Sequence, residues 1–595
     1  MDSGGKAQSS RLPRLLMGLL LVLEFGLALK QLAFREGFPP RTNHFGFKNV
    51  LELRRMLGGY EPTWPLVHPG RTTHFHLDPT PIDWSSPAVW LEQLSSGHLR
   101  FLFQNHSDVP YWIEMPHPFF LATAFGALTG WEVWLIPLVF TGYLLLLLLS
   151  LYGLGEELDG PWTGLTAACI AGGFPALFGF GRFIHDVLPL ASLTAFGAWM
   201  LVRSAGFSRV VPCVLFGVSV WSVLRSGESF YGSVLAAIVL TGPVVAQIVG
   251  RLRAGLDKAS CTGMALALGI PVVSFDWWWF GPSYAYLQDE DPFADVAMQA
   301  KVAPWVSDAW SGILEDGAYL VTLANDLVRP PLLVVVVVGL AFLWRSPARG
   351  KLATSLMFLL PFVLLSWMTR KSNWYVLPCL PPLALMAAMG LRGLPGGARV
   401  QRVAMGLACA TGLAVLLGYS VAPDSARRLV PQWAERPYKR VVVMREVELT
   451  PYQEFPGRII VNAARETVDA LNRSLPPDGK DHNLALFCQD QFWAWTFKYM
   501  VEMARSDVHV TSVIHINLLE HYASELHAQD FDMLVYLGEH GIESRSTPES
   551  GLPAKLRAPK PEGNIDHFGR FISELSGISL QPERTHQAAV YRMRE

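Results

Sequence analysis

Charge is scarce in this sequence. Asp, Glu, Lys and Arg make up 16% of its 595 residues, where a soluble chain carries about 25%. The deficit falls in apolar runs long enough to cross a ~30 Å hydrocarbon core, which takes about 20 helical residues. That excludes an ordinary soluble protein and implies a polytopic membrane protein. Cysteine is scarce as well, with six in all. Cys169, Cys213, Cys261, Cys379 and Cys409 lie in or beside apolar runs, where a thiol packs as a small hydrophobe. Cys488 alone lies in a long soluble segment, so neither a disulfide framework nor a zinc spacing is available. The formal net charge is −2 and the basic residues stand in small groups, which excludes a nucleic-acid footprint. Internal repeats and low-complexity tracts are missing, and the apolar runs are nearly free of acids. A transporter more often shows repeat symmetry and charges at the bilayer midplane.

What is there is a succession of apolar runs. The first, 15–34, follows Lys6, Arg11 and Arg14. Leu27-Ala28-Leu29-Lys30 is a poor small-residue cleavage site, so the run reads as a retained helix with its start in the cytoplasm. Further spans are expected at 133–154, 165–180, 187–202, 210–224, 230–249, 261–280, 331–344, 352–368, 375–391 and 403–421, about eleven in all. With that count the connections 203–209, 251–258, 345–351 and 392–402 fall on the cytoplasmic side. Each is short and basic, as the positive-inside rule requires. The expected fold class is therefore a polytopic α-helical membrane domain over residues 1–421, with a large first external loop at 35–118. After residue 422 the charged fraction rises. The runs 484–488 and 533–536 read as buried strands, 508–510 as a further strand, and 492–504 and 518–528 as helices. Residues 422–595 are expected to form a small α/β domain on the non-cytoplasmic side.

In this topology the polar, ionisable and aromatic residues gather at the outer rim. Residues 371–382 read K-S-N-W-Y-V-L-P-C-L-P-P, where Arg370, Lys371, Trp374 and Tyr375 precede a proline-studded helix start. Cations and rings at that place suit an anion at the bilayer edge. Asp83 stands just before a short surface helix, where it either caps that helix or serves as an acid or base near its positive end. Glu114, in Y-W-I-E-M-P-H-P, precedes an apolar helix. Arg182, His185 and Asp186 share a six-residue external turn, in which solvation alone would also account for them. The aromatics Phe275, Trp277, Trp278, Trp279 and Phe280 read either as an interfacial belt or as stacking surfaces.

Together these segments resemble the GT-C glycosyltransferases. Within them they are similar to the polyprenyl-phosphate-sugar transferases, namely the protein O-mannosyltransferases and the lipid A aminoarabinose transferases. The match lies in Asp83 with Gly97 fourteen residues on, and in Glu114-Met-Pro116-His-Pro118 before a helix ending at Gly130. It continues in Asp186-Val-Leu-Pro189-Leu190 at the start of the fourth span, and in Lys371-S-N-W-Tyr375-V-Leu377-Pro378-C-L-Pro381. Trp84 stands where the family has a second acid, and Met115 where it has a lysine.

The resemblance implies a GT-C-like catalytic domain that moves a sugar, with inversion, from a polyprenyl-phosphate-linked donor to an acceptor glycan, lipid or protein. It assigns catalysis to Asp83 and Asp186. It assigns the lipid phosphate and donor to Lys371, Arg370 and Tyr375, with Glu114, Arg182 and His185 in support. No cofactor is required, although Asp83, Glu114, Asp186, His74, His76, His117 and His185 leave room for a divalent cation. The expected setting is the bacterial inner membrane, N-terminus cytoplasmic and C-terminal domain periplasmic. The glycosylation acceptors Asn105 and Asn472 leave an endoplasmic reticulum membrane open. The competing readings are a lipid-linked-sugar transporter or flippase, and a non-catalytic assembly subunit.

Overall fold

A computed structural model describes residues 11–34, 50, 116–129, 135–182, 184–185, 187–224, 229–275, 320, 323–367, 371–421, 441–442, 456–474, 482–488, 491–505, 507–514, 532–537, 583–584 and 589–592. The chain forms two compact units: Met1–Phe34, Leu91–Ala122 and Pro137–Tyr452 make the first, and Arg35–Trp90, Thr123–Ile136 and Gln453–Glu595 the second.

The first unit is helical. In chain order its described part holds α1 (Arg11–Phe34), the start of α2 (Pro116–Thr129), α3 (Leu138–Asp159), α4 (Pro161–Gly172), α5 (Pro175–Phe180), α6 (Val187–Arg203), α7 (Val210–Leu224), α8 (Ser229–Ala254) and α9 (Lys258–Phe275). A π-helical turn, Leu323–Val328, leads into α10 (Pro330–Phe342), which is followed by α11 (Lys351–Trp367). Strand β1 (Lys371–Ser372) and a 3-10 segment, Asn373–Cys379, precede α12 (Leu380–Leu391) and α13 (Gly397–Val421). β1 pairs in parallel with β2 (Val441–Val442).

Among the described residues, three helices are long and apolar enough to cross a membrane: Arg11–Lys30, Leu138–Asp159 and Gly397–Val421. Shorter apolar helices accompany them, among them Val187–Arg203, Pro330–Arg345 and Val376–Leu391. Their outward faces are apolar: Leu15, Leu19 and Val22 on α1, and Val403 and Leu407 on α13, are all exposed. Water would not tolerate such faces, but lipid does. This is an integral membrane protein.

The core is one continuous cluster from α1 through α13 in which small residues bring backbones together. A Cβ on Gly390 of α12 would land on the Gly339 carbonyl of α10, and one on Gly164 of α4 on the Tyr152 carbonyl of α3. Membrane helices associate by such close packing because lipid supplies no hydrophobic drive. One end of the bundle gathers charge. Arg14 donates to Glu156, Arg392 donates to Asp159, and the Arg349 amide donates to the Leu158 carbonyl.

Two spans differ from the expectation. The run 165–180 is not one helix: α4 ends at Gly172 and α5 starts afresh at Pro175. Pro175 has no N–H to give the preceding turn and pushes Phe174 to an extended conformation (φ −72°, ψ 114°). The run 375–391 opens with the 3-10 segment, which contains Pro378, and becomes α-helical only at Leu380, with prolines at its start.

The described part of the second unit is α/β. Its sheet has the order β4 (Val508–Ile514), β3 (His482–Cys488), β5 (Met533–Leu537), β7 (Ala589–Arg592), β6 (Glu583–Arg584). β3 is parallel to both neighbours, and β7 is antiparallel to β5 and β6. Parallel neighbours need a crossover, and α15 (Gln491–Ala504) lies between β3 and β4. Its Phe497 and Val501 pack with Ala470 and Leu471 of α14 (Pro456–Ser474) on Leu484, Leu486, Val510 and Val535. The Glu502 carboxylate accepts the Val510 amide (2.7 Å), tying helix to strand. The helix expected at 518–528 lies outside the described residues.

Candidate functional site

The end of the first unit opposite the Arg14–Glu156 pair is built around α5. Thr141, at the start of α3, donates to the Gly181 carbonyl just after α5 (2.7 Å). The π-helical turn, the 3-10 segment, α6 and α13 all pack against α5. The break after Gly172 therefore does local work. It sets a short helix at this end, and its exit carries Arg182 and His185 inward.

Arg182 is buried. Its guanidinium donates to Ser420 Oγ in the last turn of α13 (2.9 Å) and lies 4.9 Å from the centre of the Phe178 ring. Its Nε has no hydrogen bond. In the turn between α5 and α6, outside the spans, burial pulls this guanidinium down to about 10 while Glu24 pulls it up. At neutral pH it keeps its charge. His185 accepts the Val187 amide at Nδ1 (3.3 Å), which caps the start of α6, and meets Phe180 edge-on at 5.2 Å.

A second cation stands at the same helix end. Arg329 is buried between the π-helical turn and α10, and its guanidinium lies 5.6 Å from the Tyr419 ring. Tyr419 and Ser420 are consecutive, so the last turn of α13 gathers two buried arginines. A helix C-terminus attracts cations, and each ring face adds a modest attraction. Sequence reasoning missed Arg329. Its signal was an arginine directly before the prolines that open an apolar run, Arg329-Pro330-Pro331.

Glu24 was missed as well, an exception within spans that are nearly free of acids. It lies on α1, fully buried, and both carboxylate oxygens are without a hydrogen bond. An acid inside a leucine-rich run was its signal.

The remaining expected residues are placed only in part. Lys371 and Tyr375 lie on β1 and the 3-10 segment, whose backbone packs on α5 and α6. Asp83, Glu114, Asp186 and Arg370 lie outside the described residues. So do His74, His76 and the 276–280 part of the aromatic loop. Among the described residues no three His, Cys, Asp or Glu side chains converge on a metal position. Behind the 3-10 segment an apolar cavity is lined by Leu151 and Leu154 of α3, Ala191 and Ala195 of α6, Met357 of α11, and Pro378 and Pro382.

These features define an integral membrane protein with two enclosed arginines at one end of its bundle and an apolar cavity below the proline-rich segment. No family model matches the chain, and no curated protein does. Among solved structures it is similar to ArnT from Cupriavidus metallidurans in the apo state, at 12% identity and a TM-score of 0.47 over 83% of this chain and 91% of that one. The same protein bound to undecaprenyl phosphate gives a TM-score of 0.46, at 12% identity over 83% and 92%. The apo oligosaccharyltransferase of Archaeoglobus fulgidus gives 0.39, at 11% identity over 87% of this chain and 69% of that one.

Proposed function

We propose that this chain is a membrane glycosyltransferase that moves a sugar from a polyprenyl-phosphate-linked donor to an acceptor on the non-cytoplasmic face. The observation that carries the reading is the pair of buried arginines, Arg182 and Arg329, at the last turn of α13. Two cations gathered at one end of the bundle suit an anion at the bilayer edge, and the phosphate of a lipid-linked donor is such an anion. The backbone of the 371–378 segment packs on the same short helix, so Lys371 would join them, as the sequence resemblance implies.

In this reading Asp83 takes the acceptor's proton as its oxygen or nitrogen attacks the anomeric carbon, and Asp186 orients the acceptor. The new bond forms on the face opposite the phosphate. The anomeric C–O bond breaks, and the lipid phosphate leaves with the electron pair. Arg182, Arg329, Lys371 and Arg370 balance the charge developing on it, with Tyr375 donating from its hydroxyl. Glu114 and His185 support the donor site.

The test is transfer of radiolabelled sugar from a polyprenyl-phosphate donor by reconstituted protein. Asp83→Asn and Lys371→Ala should each lower the rate about 100-fold or more. Wild-type-like rates in both variants would falsify the assignment.

A second reading has its own observation. Glu24 at the α4–α5 break is an acid deep in a span beside an interrupted helix, as in many transporters. A flippase predicts scrambling of labelled lipid-linked sugar in vesicles without formation of a transfer product.

A further inference from the structure

Three connections meet at the Arg14 end of the bundle. The Arg349 amide, between α10 and α11, donates to the Leu158 carbonyl near the end of α3 (3.2 Å). Arg392, where α12 ends, donates to the Asp159 carboxylate (2.6 Å), and Thr163 on α4 donates to the same side chain (2.8 Å). A Cβ on Gly393 would lie 2.3 Å from the Phe342 carbonyl, so the α12–α13 connection rests on the end of α10. Lys351 folds back on its own connection and donates to the Trp344 carbonyl (3.3 Å). These contacts fix the three connections as one surface.

Its charge is unbalanced. Asp159 accepts Arg392, and Glu156 accepts Arg14. Arg345 and Arg349, with Arg399 and Arg402 on the first turns of α13, are exposed and have no acid partner among the described residues. Arg345 lies 5.4 Å from the centre of the Phe342 ring. The α3–α4 corner adds one exposed acid, Glu157.

Next to the cations the surface turns apolar. α10 and α13 pack against each other, and Val337 and Val338 of α10 and Val403 and Leu407 of α13 are exposed. Trp344 stands between the apolar run of α10 and Arg345 and is 64% exposed, and Trp162 on α4 is exposed at the same end. Tryptophan rings settle at the headgroup level, and basic surfaces between membrane helices bind anionic headgroups. A free anion would use the cations alone. A phospholipid uses all three features: phosphate at the arginines, glycerol at the indole, acyl chains on the valines and leucine.

We propose that this surface is a binding site for an anionic phospholipid of the adjoining leaflet. Arg345 and Arg349 hold its phosphate, Arg399 and Arg402 flank it, and its acyl chains lie along α10 and α13. The site is at the end of the bundle away from Arg182 and Arg329, and it stands whether or not the chain is a transferase.

The experiment uses the full-length protein in detergent and reads lipid retention by native mass spectrometry. Phosphatidylglycerol is compared with phosphatidylcholine of the same acyl chains, and thermal midpoints are taken in phosphatidylcholine nanodiscs. Wild type should prefer phosphatidylglycerol about tenfold or more, less so at high salt. Arg345→Gln/Arg349→Gln should remove about tenfold of that preference and keep its midpoint. Arg345→Lys/Arg349→Lys, which retains both charges, should restore most of the preference. Arg253→Gln, an exposed arginine at the end of α8, should change nothing.

Equal retention of the two lipids by wild type would overturn the proposal, as would an unchanged preference in the double glutamine variant. An equal loss in Arg253→Gln would mean diffuse surface charge and no site. Displacement of phosphatidylglycerol by millimolar inorganic phosphate would mean a free-anion site and overturn the lipid assignment. Should the glutamine pair lower the midpoint, the lysine pair decides: a folded lysine variant without the preference would end the proposal.

Discussion

Arg329 holds φ 71° and ψ 150°, a region essentially reserved for glycine and costing other residues about 1–3 kcal/mol. The residue is kept there by what surrounds it. Two prolines follow and open α10, and the side chain reaches into the bundle toward Tyr419. A glycine would relax this backbone but bring no charge. Arg329→Gly should therefore be more stable to unfolding than Arg329→Ala by about 1–2 kcal/mol, with undecaprenyl phosphate binding weakened in both. Equal stability of the two would mean that the conformation carries no strain. The identity of such a residue is open to sequence reading, but its conformation is not. An arginine before two prolines can begin a helix in several ways, and only the packing of the π-helical turn selects this one.

At the scale of elements, interruptions and close approaches place the site. The α4–α5 break is written in Gly172-Gly173-Phe174-Pro175, yet hydropathy alone runs straight through it, because every residue there is compatible with a span. Whether a proline kinks a membrane helix or ends it depends on what neighbouring helices offer the freed backbone groups. The α10–α12 contact makes a similar point. A methyl on Gly390 would strike the Gly339 carbonyl, whereas Gly18 on α1 has nothing within 4 Å of its Cβ position. Gly390→Ala should cost about 1–3 kcal/mol, seen as a lowered thermal midpoint in detergent, and Gly18→Ala should cost nothing measurable. Both glycines lie in apolar runs, and nothing local distinguishes them. In the second unit the strands were legible where β-branched and apolar residues cluster, at 484–488 and 533–536. The 508–510 run was read short, since β4 extends to Ile514.

For the whole molecule the question is which end faces which compartment. Arg14, Arg349 and Arg392 meet Glu156, Leu158 and Asp159 at one end, and Arg182 and Arg329 lie toward the other. Cys261, at the start of α9, is an exposed free thiol directly after the basic connection 251–258. In a Cys488→Ser background, a membrane-impermeant maleimide should label Cys261 in inverted vesicles and not in right-side-out ones. The opposite pattern would reverse the proposed orientation of the donor site. The sequence by itself determined that the chain lives in a membrane, where its apolar runs fall, and which loops carry charge. Those properties are sums over local composition, and partition between water and hydrocarbon reads them directly. Only the tertiary structure decided that Glu24 of the first helix is buried against Gly172, and that two arginines meet the last turn of α13. A buried charge is defined by its surroundings, and those come from helices separated by hundreds of residues.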